Sequence, residues 1–441
     1  MAGKIMLVFY YMDKNRKMPT PSSGIRRLKW DVILSALLMV AVLACLPTLF
    51  HRITTLYPAV KVVPSVWALT LSHLEFSLIA EFVFSVFGDV FMAWVFTIFG
   101  LRLVRRFDKE KELPVGALPW FGLILGMGIA SYLSYFIGYF GLFNRWVVIA
   151  ILSVFICIGL PEILPLARGI ALRLRRLFAK KPAIETLLIL MILFVLLITM
   201  LTNLGPIDQG DEQASHLNYP WHWVEAGRVL DITDAVDSNY PPGGWAIFGM
   251  AMANFGLIGA RLFHFIALFA LCGLLYEIGK GWMNRRAALV AVFLFLWVPL
   301  VFQEGRCGNV DLFWVLFAFA SVAALKTRHN DAAALSAIFL GFALFTKWLA
   351  LNLGLLVALY LLMRLITKKM PVRDFFIQCA WFAVFPLIIL FPMILCNLHQ
   401  TGYPFSPFPI SLYETPGYNA EIARYLLFTL SGVDNLIYQG P

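Results

Sequence analysis

Apolar residues in this chain come in long unbroken runs and do not alternate with polar ones. "TLLILMILFVLLITM" (186–200) is typical: it carries no charge and leaves no polar face. A backbone in lipid must satisfy its own hydrogen bonds, so runs near ~20 residues read as membrane-spanning helices. They lie at about 31–50, 76–101, 117–140, 146–166, 186–204, 260–279, 287–304, 309–325, 332–346, 349–366 and 374–396. The pattern predicts an all-α polytopic membrane protein with about eleven transmembrane helices. Most connections are short. The exception is 205–259, a long polar excursion that opens with "DQGDEQASHLNYPWHW" (208–223).

Composition agrees. The chain is 61% hydrophobic and 14% charged, where a soluble domain would be near ~25% charged. The formal charge of +10 invites a nucleic-acid partner, but its distribution argues for topology instead. Alternate connections, 1–30, 102–112, 167–182, 280–286, 326–330 and 364–373, hold 27 of the 35 Lys and Arg. The basic side is expected to be cytoplasmic, with the N-terminus there and 205–259 on the outer face of the plasma (inner) membrane. Counting "YPPGGWAIFGMAMANFGLI" (240–258) as a further span would put Lys280, Arg285 and Arg286 outside, so it reads as a helix at the outer interface. The N-terminus lacks the form of a cleaved signal. The cysteines at 45, 157, 272, 307, 379 and 396 are scattered without metal-like spacing and read as packing residues. A division near residue 182 is expected: 1–182 as a four-span region, and 183–441 holding the long loop and the remaining spans.

Candidate chemistry gathers on the outer side. Asp211, Ser215, Asn218 and His222 follow helical spacing, as do Glu212, His216, Tyr219 and Trp223, which predicts a short amphipathic helix that Pro220 ends or bends. Three charged features share that side: Arg261 opening a span, "EGRCGNVD" with Glu304, Arg306 and Asp311, and "LFTKWLAL" with Lys347. Each alone reads as an ion-paired or snorkelling anchor. Together, three cations and several carboxylates at one membrane depth suggest a pocket for an anionic head group.

These segments form an ordered series. "DQGDEQASHLNYPWHWVEAGRV", "DSNYPPGGW", "GARLFHF", "EGRCGNVDLFWVLFAFA", "GFALFTKWLAL" and "NLHQTGYPFSPF" resemble, in order, segments of the GT-C superfamily of membrane glycosyltransferases, the group of protein O-mannosyltransferases and aminoarabinose transferases. The resemblance covers 183–410. It implies a GT-C-type first outer loop carrying interfacial helices. The chain departs from the pattern in its four preceding spans and in ending at Pro441, where many members continue; a truncated chain and a short variant both fit.

The resemblance implies inverting transfer of a hexosyl or pentosyl group from a polyprenyl-phosphate sugar to a hydroxyl acceptor, which is a lipid, a glycan or a protein. A carboxylate takes the acceptor proton. Asp211 is the candidate base, with Glu212 beside it. Asp208, His216, Tyr240, Arg261, Arg306, Asp311 and Lys347 are candidate substrate-binding residues, and the cations suit a lipid-phosphate leaving group. Asp311 is expected to pair with Arg306 or Lys347. No cofactor is implied; a divalent metal on Glu212, His216 and His222 is the weaker alternative, because E-x3-H-x5-H fits no metal spacing. The rival class is a transporter or lipid flippase, motivated by Glu81, Asp89 and Glu162 within the early spans.

Overall fold

The computed structural model describes residues 76–108, 113–178, 182–205, 207–230, 239–325, 330–402 and 404–405. The first expected span, 31–50, lies outside them. The described residues form helices and no strand. In chain order they are α1 (Phe76–Phe107), α2 (Leu118–Tyr139), α3 (Arg145–Gly159), α4 (Ile163–Phe178), α5 (Ala183–Thr202), α6 (Asn218–Ala226) and α7 (Gly243–Trp282). Then come α8 (Arg285–Leu296), α9 (Pro299–Gly305), α10 (Asp311–Leu325), α11 (Asn330–Thr346), α12 (Leu351–Ile366) and α13 (Val372–Thr401).

Among the described residues, seven helical segments are long and apolar enough to cross a membrane, and α8 with α9, bent by 74°, makes an eighth if the pair is one span. The expected spans at 309–325 and 332–346 emerge as shorter helices of 15 and 17 residues. At 1.5 Å per residue these reach only about 22 and 26 Å, against ~30 Å of hydrocarbon. Their surroundings explain their apolar character: α10 and α11 are largely enclosed by other helices. By contrast Phe84, Phe87, Phe194, Leu355, Leu356 and Leu359 are exposed, as lipid-facing side chains of an integral membrane protein are.

α7 is the hub. Phe263 meets Phe96 of α1 (ring centroids 5.8 Å), Phe269 meets Trp120 of α2 (5.6 Å) and Phe248 meets Phe313 of α10 (5.3 Å). Ser131 Oγ of α2 donates to Gly243 O (2.6 Å), and Phe121 of α2 stacks on Phe339 of α11 (5.8 Å). Helices from both sides of residue 182 therefore share one core. The early spans, which have no counterpart in the resemblance, brace the helix that carries Arg261.

Residues 240–258 do separate from the span that follows. α7 breaks at Gly256, whose φ of 70° and ψ of −166° are open to glycine and to little else. The break strips Phe255 O of its helical partner, and Ser85 Oγ of α1 supplies one at 3.1 Å. Residues 243–252 before the break are buried in protein throughout.

The polar stretch after α5 folds differently from the expected single helix. Glu212–His216 make one wide π-type turn and α6 begins at Asn218. Pro220 lies in the first turn of α6, where backbone N–H groups have no helical acceptor, so it opens this helix and does not end one. The Glu212, Tyr219, Trp223 row is buried, and Asp211 and His222 face out.

Candidate active site

Two side chains of α7, one turn apart, hold the site together. Arg261 is 3% exposed. Its Nη1 donates to Asn203 O (3.0 Å) and to Gly205 O, and its Nη2 to Arg306 O (2.8 Å). Its Nε lies 2.9 Å from Glu212 Oε1, an ion pair that is off line for a hydrogen bond. One guanidinium thus fastens the end of α5, the acidic loop and the 305–312 turn to α7.

His264 fastens the same turn from one helical step further on. Leu312 N–H donates to Nε2 (3.2 Å) and Nδ1 lies 2.8 Å from Cys307 O. A backbone N–H only donates and a carbonyl only accepts, so Nδ1 carries the proton, Nε2 carries none, and the ring is neutral. The sequence reading missed this residue. Its signal was the i, i+3 spacing from Arg261, which puts both on one face.

Glu212 is fully buried. Besides Arg261 it accepts from Gly308 N–H at 2.7 Å. Gly308 permits the approach: a Cβ there would sit 2.7 Å from Leu217 Cδ2 and 3.0 Å from Glu212 Oε1. Burial pushes the Glu212 carboxyl above the ordinary glutamate range, against the downward pull of Arg261 and the Gly308 N–H.

The more open groups lie around this frame. Arg306 pairs with Asp208 at 3.1 Å, and Gln303 Nε2 donates to Gln209 Oε1 at 3.2 Å. Lys347 stands in extended backbone where α11 ends, and its Nζ reaches both oxygens of Asp311, at 2.8 and 3.0 Å. Trp314 Nε1 donates to Asp311 Oδ1 as well, at 3.1 Å. Asn309 Nδ2 donates to Glu304 Oε1 at 3.2 Å. The charges of Asp311, Lys347 and Asp211 all reach Glu304. Asp211 itself is exposed, and among the described residues its carboxylate has no bonded partner.

Other candidates are tied to different elements. His216 Nδ1 accepts from Trp245 Nε1 at 3.0 Å, and His222 lies 3.9 Å from Glu225. Tyr240 is half-buried before α7, beside Asn239, whose carbonyl accepts from Asn397. Among the described residues no three His, Cys, Asp or Glu side chains are grouped as for a metal. Of the early acids, Glu162 pairs with Arg105 (3.3 Å) and Arg102 (3.9 Å), Glu81 is exposed and Asp89 is buried.

Residues 240–395 match the family model described as dolichyl-phosphate-mannose-protein mannosyltransferase. That match is to a GT-C-type family of membrane glycosyltransferases and supports a glycosyltransferase of this type. The matched family uses polyprenyl-phosphate sugar donors. No curated protein and no solved structure matches the chain. The matched stretch contains Arg261, His264, Glu304, Arg306, Asn309, Asp311 and Lys347, and the acidic loop 208–216 lies before it. Arg261–Glu212, Arg306–Asp208 and Gln303–Gln209 join the two.

Proposed function

We propose that this glycosyltransferase moves a sugar, with inversion, from a polyprenyl phosphate to an acceptor hydroxyl on the non-cytoplasmic face, with Asp211 as base. What supports the reading is the exposed carboxylate of Asp211, whose charge reaches the same Glu304 that Lys347 and Asp311 act on. The acceptor O–H gives its proton to Asp211 as its oxygen bonds to the anomeric carbon. The bond from that carbon to the phosphate oxygen breaks on the opposite side, and the phosphate leaves with the electron pair. Lys347 and Arg306 meet the growing charge. Both cations are about a third exposed, and their present partners Asp311 and Asp208 are partly exposed too, so a phosphate has room to displace them. Arg261 and Glu212 become positioning residues, because each is buried and already engaged.

Asp211→Asn in purified, lipid-reconstituted protein should abolish release of polyprenyl phosphate from a donor panel while leaving the thermal midpoint unchanged. Transfer at a rate near that of the native protein would remove Asp211 as base.

A further inference from the structure

Two buried acceptor atoms in the site have no donor. Glu304 accepts from Asn309 through Oε1, and its Oε2 is buried with no partner among the described residues. Asn309 is 8% exposed, and its Oδ1 is likewise buried and unpartnered. With Nδ2 given to the Glu304 carboxylate, Oδ1 is left as the acceptor. Buried polar atoms are nearly always bonded, so two orphan acceptors on touching side chains call for a ligand that donates. A phosphate, which only accepts, does not meet that need. Hydroxyl groups do.

Position identifies which hydroxyls. In a single displacement the acceptor oxygen, the anomeric carbon and the phosphate oxygen lie in one line. The sugar ring therefore sits between the base and the cations that hold the phosphate. Glu304 bonds Asn309, two residues before the Asp311 that Lys347 holds, and the charges of Asp211, Lys347 and Asp311 all reach it. The Asn309 backbone lies in the turn that His264 and Arg261 bolt to α7, so the acceptor pair is rigidly presented. We infer that Glu304 and Asn309 form the subsite for the ring hydroxyls of the donor sugar, and so set which sugar is transferred. This rests on the donor reading above.

The test is equilibrium binding to the full chain in lipid nanodiscs. The ligands are bare polyprenyl phosphate, polyprenyl-phosphate mannose and polyprenyl-phosphate arabinose. The native protein should bind at least one sugar-bearing ligand more tightly than the bare lipid. Glu304→Gln should remove that preference, weakening the favoured donor about tenfold, as loss of a charged hydrogen bond does, and leaving bare polyprenyl phosphate within twofold. Asn309→Ser should shift the same ligand in the same direction, and it decides the matter if Glu304→Gln does not fold. Variants that keep the preference, or weaken bare lipid and donor alike, overturn the subsite and leave the proposed function standing. A native protein with no preference among the three also overturns it. Failure of the native protein to bind any of the three ligands overturns the donor reading itself.

Discussion

Arg261 and Arg306 look interchangeable in the sequence, since both are cations beside apolar runs on the outer side. Their environments separate them. Arg261 directs its planar fork at three backbone carbonyls and a buried carboxylate. A lysine offers a point charge on a flexible stem and cannot reproduce that set of directions. Arg261→Lys should therefore destabilise the protein by about 1.5–3 kcal/mol, the cost of a lost charged hydrogen bond, and transfer should fall with the fold. Arg306 faces a half-exposed Asp208, where a pair contributes about 0–1 kcal/mol. Arg306→Lys should leave the thermal midpoint unchanged and raise KM for the donor. Thermal unfolding in detergent beside donor titration separates the two, and equal stability losses would contradict this division of labour. The charged residues could be picked out from sequence because charge in an apolar run is conspicuous. Their roles could not, because an arginine bonded to carbonyls and one free to meet phosphate are spelled alike. His264 and Asn309 stayed hidden for a related reason: their importance lies in partners 43 to 48 residues away, and in an atom left without one.

At the level of elements, apolar runs located the helices well, because lipid and protein interior both demand them. The same property blurred α10 and α11, shorter helices whose apolar runs are largely enclosed by neighbours. The interruption of α7 was half legible. The sequence separated 240–258 from 260–279 on charge grounds, and Gly256 makes the separation physically, with Ser85 of α1 satisfying the freed carbonyl. Any Cβ at Gly256 meets backbone strain of about 1–3 kcal/mol. Gly256→Ala should lower the unfolding free energy by that amount and the thermal midpoint with it, whereas Gly169→Ala, in open space within α4, should hold or raise both. A Gly256→Ala protein as stable as the parent would mean that the two parts of α7 run together without a break.

For the whole molecule, two helices report the same dimension. Along α7, Arg261 of the site and Lys280 of the Glu277–Lys280 pair are 19 residues apart, about 28 Å at 1.5 Å per residue. Along α5, Glu185 pairs with Arg285 and Arg286, and 18 residues later Asn203 binds Arg261 through its carbonyl, about 27 Å away. Each separation approaches the ~30 Å of a bilayer core. The site and the basic cluster thus stand about one membrane thickness apart along these helices; that they face the outer and cytoplasmic sides is the expectation the distribution of Lys and Arg sets. The sidedness can be read with a membrane-impermeant thiol reagent in a cysteine-free background. Ala214→Cys, exposed in the acidic loop, should label in sealed right-side-out vesicles. Met283→Cys, exposed between α7 and α8 beside the basic cluster, should label only after the membrane is permeabilised. Labelling of both positions from the same side would remove the charge argument, and the reverse pattern would move the proposed chemistry to the cytoplasmic face.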